Sequence, residues 1–179
     1  NDNLLAGDEA TEYLYQLGHR KIAYLGVDNS LVFSADRRNG YQLALTRHGI
    51  VPKPEYCVEL PSITAGEDTP VHALLRSASR PTAIVVSDDI LALTLERICT
   101  ETGLSIPDDL SILSFNNSLF ARLTSPQLTS IDINSCQLGI EAAAQMISHI
   151  ENPELPATKI LVPHQLIERD SCARPVSHS

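Results

Sequence analysis

Three short polar groups supply the side chains of this 179-residue chain that could recognise a small molecule. Ser34, Asp36, Arg37 and Arg38 stand at the mouth of a helical stretch, Ser87-Asp88-Asp89 follow the apolar run Ala83 to Val86, and Asn116-Asn117-Ser118 follow a run ending in Phe115. Arg37 can fork two hydrogen bonds to vicinal hydroxyls or to a carboxylate. The oxygens of Ser87, Asp88 and Asp89 can accept hydrogen bonds from a sugar, and the Asn amides present donors and acceptors together, as a polyhydroxylated ligand requires. Each group also has a plainer reading. Arg37 could pair with Asp36 on the surface, Ser87 could cap a helix with carboxylates in its first turn, and Asn is common in turns.

Catalytic chemistry finds less support. The chain has no G-x-S-x-G elbow, no G-x-x-x-x-G-K-[ST] phosphate loop and no G-x-G-x-x-G after a strand. Cys57, Cys99, Cys136 and Cys172 form no C-x-x-C pair and have no His at metal-ligand spacing, so reduced thiols are expected, with neither disulfide nor zinc. Asp88 and Asp89 are adjacent and would point to different helix faces, so they make no acid/base pair. We therefore expect no enzyme, no cofactor and no metal. His19 reads as a helix-end residue. Aromatic residues at 4%, with no Trp, leave few platforms for stacking bases.

Composition narrows the partners. A net charge of -9 would repel nucleic-acid phosphates, so any DNA contact must come from outside these residues. No apolar run approaches the roughly 20 residues of a membrane helix, and no membrane partner is expected. The chain enters a helical pattern directly from Asn1-Asp2-Asn3, without initiator Met or signal-peptide core, and is expected to be a piece of something longer.

The elements that must position the polar groups alternate between helix and strand. Ala10, Tyr13, Leu14 and Leu17 mark a helix near 3 to 17, closed by Gly18, and Ile22 to Gly26 a strand apolar on both faces. Helices follow at about 34 to 48, at 69 to 78 with Thr69 as cap, from Ser87 to Gly103, and at 135 to 151. Strands are expected at 56 to 60, 82 to 86, 110 to 115, 128 to 133 and 159 to 168, with an irregular stretch around Pro126. Strands separated by helices need crossover connections, so the fold class is α/β, a parallel sheet flanked by helices. Ligands of such sheets collect at the carboxyl ends of the strands. Here those ends lead into Val27 to Arg38, Pro61 to Glu67, Ser87 to Asp89 and Asn116 to Leu123.

The order of whole phrases is more specific than any single group. L-G-H-R-K-I-A-Y-L-G at 17 to 26 is followed by R-x-x-G-Y at 37 to 41, A-I-V-V-S-D-D at 83 to 89 and I-P-D-D-L-S-I-L-S-F-N-N at 106 to 117. P-Q-L-T-S-I-D-I at 126 to 133 and L-G-I-E-A-A at 138 to 143 complete the series. This succession resembles the effector-binding core of the lactose/galactose-repressor family, and within it most resembles the maltose-operon repressors, because the strand near 115 ends in F-N-N-S.

The resemblance implies a flavodoxin-like subdomain of the periplasmic-binding-protein-like type I fold. Residues 1-133 would form the C-terminal subdomain, 134-168 a return helix and strand of an N-terminal subdomain whose remainder is missing, and 169-179 a C-terminal tail. The helix at 135 to 151 would then expose an apolar face unless it is repacked or covered by another chain. The implied function is to couple binding of a saccharide, with maltose as candidate, to operator affinity in a cytoplasmic homodimer. Operator DNA would be held by an N-terminal helix-turn-helix absent from this chain. By position, Arg37 matches the family's hydroxyl-binding Arg, Asn116 a site usually held by Asp, and Ser87 a site often held by Asn, while Phe33 and Ser34 are cleft neighbours. The helix from Asp89 and the loop after Asn117 match dimerisation surfaces. A periplasmic-type sugar-binding protein of a transport system is the alternative.

Overall fold

The computed structural model describes residues 1–27, 31–60 and 69–176. The segment expected at Pro61 to Glu67, and residues 28 to 30 of the one after the first strand, lie outside them. The described elements run α1 (Asn3–Leu17), β1 (Ile22–Val27), α2 (Val32–Arg47), β2 (Cys57–Leu60), α3 (Thr69–Arg76) and β3 (Ala83–Val86). They continue with α4 (Asp89–Thr102), β4 (Ser111–Phe115), α5 (Leu119–Leu123), β5 (Thr129–Asp132), α6 (Ser135–Glu151) and β6 (Gln165–Ile167).

The strands form one sheet in the order β2-β1-β3-β4-β5-β6. The first five are parallel, and β6 joins β5 antiparallel, pairing Ile167 with Ser130 and Gln165 with Asp132. The chain steps from β1 outward to β2 and then back past β1 to β3, which opens a crevice at their carboxyl ends. Alternate residues of β1 explain why its run is apolar throughout. Ala23, Leu25 and Val27 pack with residues of α3 and α4 such as Leu74, Leu91 and Leu95, whereas Ile22 and Tyr24 pack with Leu14 of α1 and with Tyr41 and Leu45 of α2.

Gly18 closes α1 and Gly103 closes α4, each in the left-handed conformation (φ 110° and 73°). Between α1 and α2, glycine has a different use. A Cβ on Gly7 would stand 2.2 Å from the Arg37 carbonyl oxygen, and one on Gly40 would stand 2.1 Å from that of Leu4. The two backbones therefore touch, which brings the start of α1 beside Arg37.

Several expectations are corrected. The stretch before Pro126 holds the short helix α5, and α3 ends at Arg76. The strand expected at 159 to 168 is confined to Gln165–Ile167. Within the segment 134 to 168, α6 has no buried residue, while Val162 is already buried and β6 belongs to the sheet. Residues 169 to 173 run along the base of the sheet. Ser171 lies buried between β4 and β5, with its carbonyl accepting from the Ile112 N–H and its hydroxyl accepting from the Thr129 N–H and donating to the Ile112 carbonyl. α6 is not repacked, and Ile140, Met146, Ile147 and Ile150 are exposed along it.

His19 is also more than a helix end. It is buried, with Nε2 2.9 Å from the Ala173 carbonyl oxygen and Nδ1 2.9 Å from the Thr82 hydroxyl. A carbonyl can only accept, so Nε2 carries the proton and Nδ1 accepts from Thr82. Burial lowers its pKa below the ordinary histidine value, so the ring serves as a neutral tie and adds no charge at the helix end.

Candidate functional site

The polar groups meet at the carboxyl ends of β1, β3 and β4, around a cavity of about 540 Å³. Its lining includes Arg37 and Phe33 from α2, Asp88 before α4, Asn116 after β4, and Asn1 and Asn3 from the beginning of the chain. Ile90, Phe120 and Ile133 add apolar wall. Cavities of about 420 and 530 Å³ lie at the base of the sheet and beside β2, away from Arg37.

Arg37 is 4% exposed, and its hydrogen bonds go to Asn3 and Ser87 and not to Asp36. Its Nη1 donates to the Ser87 carbonyl (2.6 Å) and its Nε to Asn3 Oδ1 (3.0 Å). The guanidinium lies 4.3 Å from the Phe115 ring centre and 5.2 Å from that of Phe33. Burial pushes its pKa down to about 10, against the pull of Asp88 and Asp89, so it stays protonated at neutral pH. The charge is thus gripped by two neutral acceptors and two rings. A guanidinium carries five N–H donors, so its outer edge keeps hydrogen-bonding capacity toward the cavity.

The other expected residues divide. Phe33 and Asn116 line the cavity with Arg37. Asn116 has φ 95°, its N–H donates to the Ile131 carbonyl (2.8 Å), and the residue lines the cavity. Ser34 stands behind them, fully buried, its hydroxyl donating to the Val27 carbonyl (2.7 Å) and its carbonyl accepting from the Tyr24 hydroxyl (3.0 Å). Ser87 reaches Arg37 through its carbonyl, and its buried hydroxyl has no partner among the described residues. Ser87 is not the helix cap. That role belongs to Asp88, whose carboxylate accepts from the Leu91 N–H (2.8 Å).

Sequence reasoning did not single out Asn1 or Asn3 as site residues. Asn1 Nδ2 donates to the Ile133 carbonyl (2.8 Å) and to the Val162 carbonyl (2.9 Å), clipping together the segments that lead out to α6 and back. The pairing of small residues, Gly7 in α1 and Gly40 in α2, was the one signal that these helices touch. Together the lining sets donors on Arg37 and Asn116, acceptors on Asp88 and Asn116, and an apolar wall around one opening. This combination suits a compact polyol that has both hydroxyl edges and a C–H face.

Residues 11–172 match the periplasmic binding protein-like domain family. A curated relative, the "Probable HTH-type transcriptional repressor ExuR" of Bacillus subtilis, is 31% identical over 177 residues, covering 96% of this chain and 53% of the relative. The chain thus spans about half the length of that relative. Among solved structures, a transcriptional regulator from Bacillus cereus subsp. cytotoxis superposes with a TM-score of 0.91 at 38% identity, covering 97% of this chain and 62% of that one. A LacI family transcriptional regulator from Enterococcus faecium with bound ribose gives 0.85 at 29%, covering 97% and 64%.

Proposed function

The chain belongs to the periplasmic binding protein-like domain family, and from that footing we propose that it is the effector-sensing core of a LacI-type transcriptional repressor with a saccharide as effector. The observation that carries the reading is Arg37, buried at the strand ends and held by neutral acceptors with its outer edge toward the Asn116-lined cavity. Its donors would take vicinal hydroxyls, Asp88 and Asn116 would accept from others, and Phe33 and Phe120 would cover the C–H face. The relatives named above are regulators, which favours this reading over a sugar-binding protein of a transport system.

In this reading α6 and residues 152 to 161, which stand off the sheet, pack against a second subdomain in the full-length protein. The sugar would bind between the two subdomains and favour their closed orientation. Closure would change the spacing of two DNA-binding headpieces in a homodimer and so the operator affinity. The dimer would use the exposed Leu119 and Leu123 on α5 together with the neighbouring face of α4. The protein would act in the cytoplasm, where its operator is.

Calorimetric titration of the full-length protein with ribose, glucose, galactose and maltose, followed by operator binding with each, tests the proposal. We expect heat and altered operator affinity with at least one sugar. Arg37→Ala should weaken that sugar by about 10- to 100-fold, the loss of a charged hydrogen bond of roughly 1.5–3 kcal/mol. No heat with any saccharide would refute the effector class, and maltose alone binding would fix the narrower identity.

A further inference from the structure

The carboxylate that follows the α4 cap does not face solvent, as a first-turn acid serving only the helix dipole would. Asp89 is 1% exposed, and both its oxygens are engaged by elements that are distant in sequence. Oδ1 accepts from the Ser114 hydroxyl of β4 (2.6 Å) and the Ser130 hydroxyl of β5 (3.0 Å), and Oδ2 accepts from the Ser118 N–H (2.6 Å). Ser130 passes the constraint on, because its oxygen also accepts from the Asn117 N–H (3.0 Å). The Asn117 side chain is held in turn, its Nδ2 donating to Asp132 Oδ2 (2.8 Å) and its Oδ1 accepting from Arg169.

These bonds converge on a backbone that needs them. Asn116 and Asn117 both have positive φ, 95° and 47°, a region that side-chain-bearing residues seldom enter and Asn tolerates best, so the turn is open to these residues and the bonds to Asp89 and Ser130 select and hold it. The turn decides where the Asn116 amide points, and Asn116 lines the cavity. We propose that Asp89 is a positioning residue of the binding site: it locks the turn 116 to 118 and thereby sets the direction in which Asn116 meets the ligand. The proposal rests on the saccharide reading above. Asp89 also borders the cavity, but at 1% exposed, with both oxygens already bonded to β4, β5 and the turn, it is assigned to act through Asn116. Its position in chain order, beside the capping Asp88, gives no hint of this role, which depends on β4 and β5 lying next to α4.

The test uses Asp89→Asn, which keeps the shape but replaces one accepting oxygen with a donor, and Ser130→Ala, which removes the relay. Backbone amide resonances report the turn without any ligand. Both variants should retain the parent's overall spectrum while shifting Asn116, Asn117 and Ser118 and speeding exchange of the Ser118 N–H. In titrations with the sugar that the parent binds, Asp89→Asn should weaken affinity about tenfold, but by less than about twofold when added to Asn116→Ala, because it acts through that residue. Unmoved turn resonances would overturn the lock. A tenfold loss that persists in the Asn116→Ala background, or no loss at all, would overturn positioning through Asn116. A parent that binds none of the sugars would refute the saccharide reading and the binding role with it, while the ligand-free resonances would still decide whether Asp89 holds the turn.

Discussion

Glu96→Gln is expected to stabilise the chain at alkaline pH and to do so much less in acid. Glu96 lies on α4 beside Thr124, and its Oε1 is buried without a hydrogen-bond partner among the described residues. Burial raises its pKa from 4.5 to about 7, and the nearby Thr124 hydroxyl offsets only a part of that rise. The sign follows from proton counting. Between the unfolded and folded values the folded chain keeps a proton that the unfolded chain releases, so stability is fully present below about 4.5 and is lost as pH rises through about 7. The shift corresponds to about 3 kcal/mol at about 1.4 kcal/mol per unit. Glu96 is only half withdrawn from water, so about 1–2 kcal/mol is the reasonable expectation. Glutamine keeps the shape, carries no charge and offers Thr124 a donor. Urea unfolding of both proteins should show the variant's midpoint higher by about 0.5–1 M at pH 8, given an m-value of about 2 kcal/mol/M. The gain should shrink severalfold by pH 5. An equal gain at both pH values would trace the effect to packing, and no gain at pH 8 would refute the argument that burial of the charge is costly.

His19→Leu should cost about 2 kcal/mol at pH 8, through two lost hydrogen bonds of about 1 kcal/mol each, read as a lower urea midpoint. Because burial lowers the His19 pKa, its contribution is whole above about 6.5 and is lost as pH falls below that, so the cost of His19→Leu should shrink on acidification. Gly40→Ala forces a Cβ to within 2.1 Å of the Leu4 carbonyl oxygen, and should lower stability by about 3 kcal/mol or more while displacing α1. A thermal midpoint within a degree of the parent's would contradict the close approach. The double change Ile147→Glu and Ile150→Glu on α6 should alter unfolding of this chain by less than about 0.5 kcal/mol, since both positions are exposed. A large loss would mean that α6 is packed in solution.

The parallel core was legible because its cause is local. Runs such as Ile22 to Leu25 and Ala83 to Val86 are short and apolar at every position, as a strand covered on both faces requires, and Gly18 and Gly103 are what a left-handed helix end selects. Arg37, Phe33 and Asn116 could be placed at one rim for a related reason: the alternation of strand and helix puts every post-strand segment on the same side of the sheet. The antiparallel direction of β6 was hidden, since three residues of strand carry no mark of which way they pair. Asp89 was hidden more deeply, because a first-turn acid is the same letter whether it meets water or the hydroxyls of Ser114 and Ser130. The same holds for Asn3, which reaches Arg37 only through the contact of two helix backbones at Gly7 and Gly40. Periodicity and end-capping are written along the chain, whereas the partner of a buried polar group is chosen by whatever the fold brings within 3 Å of it.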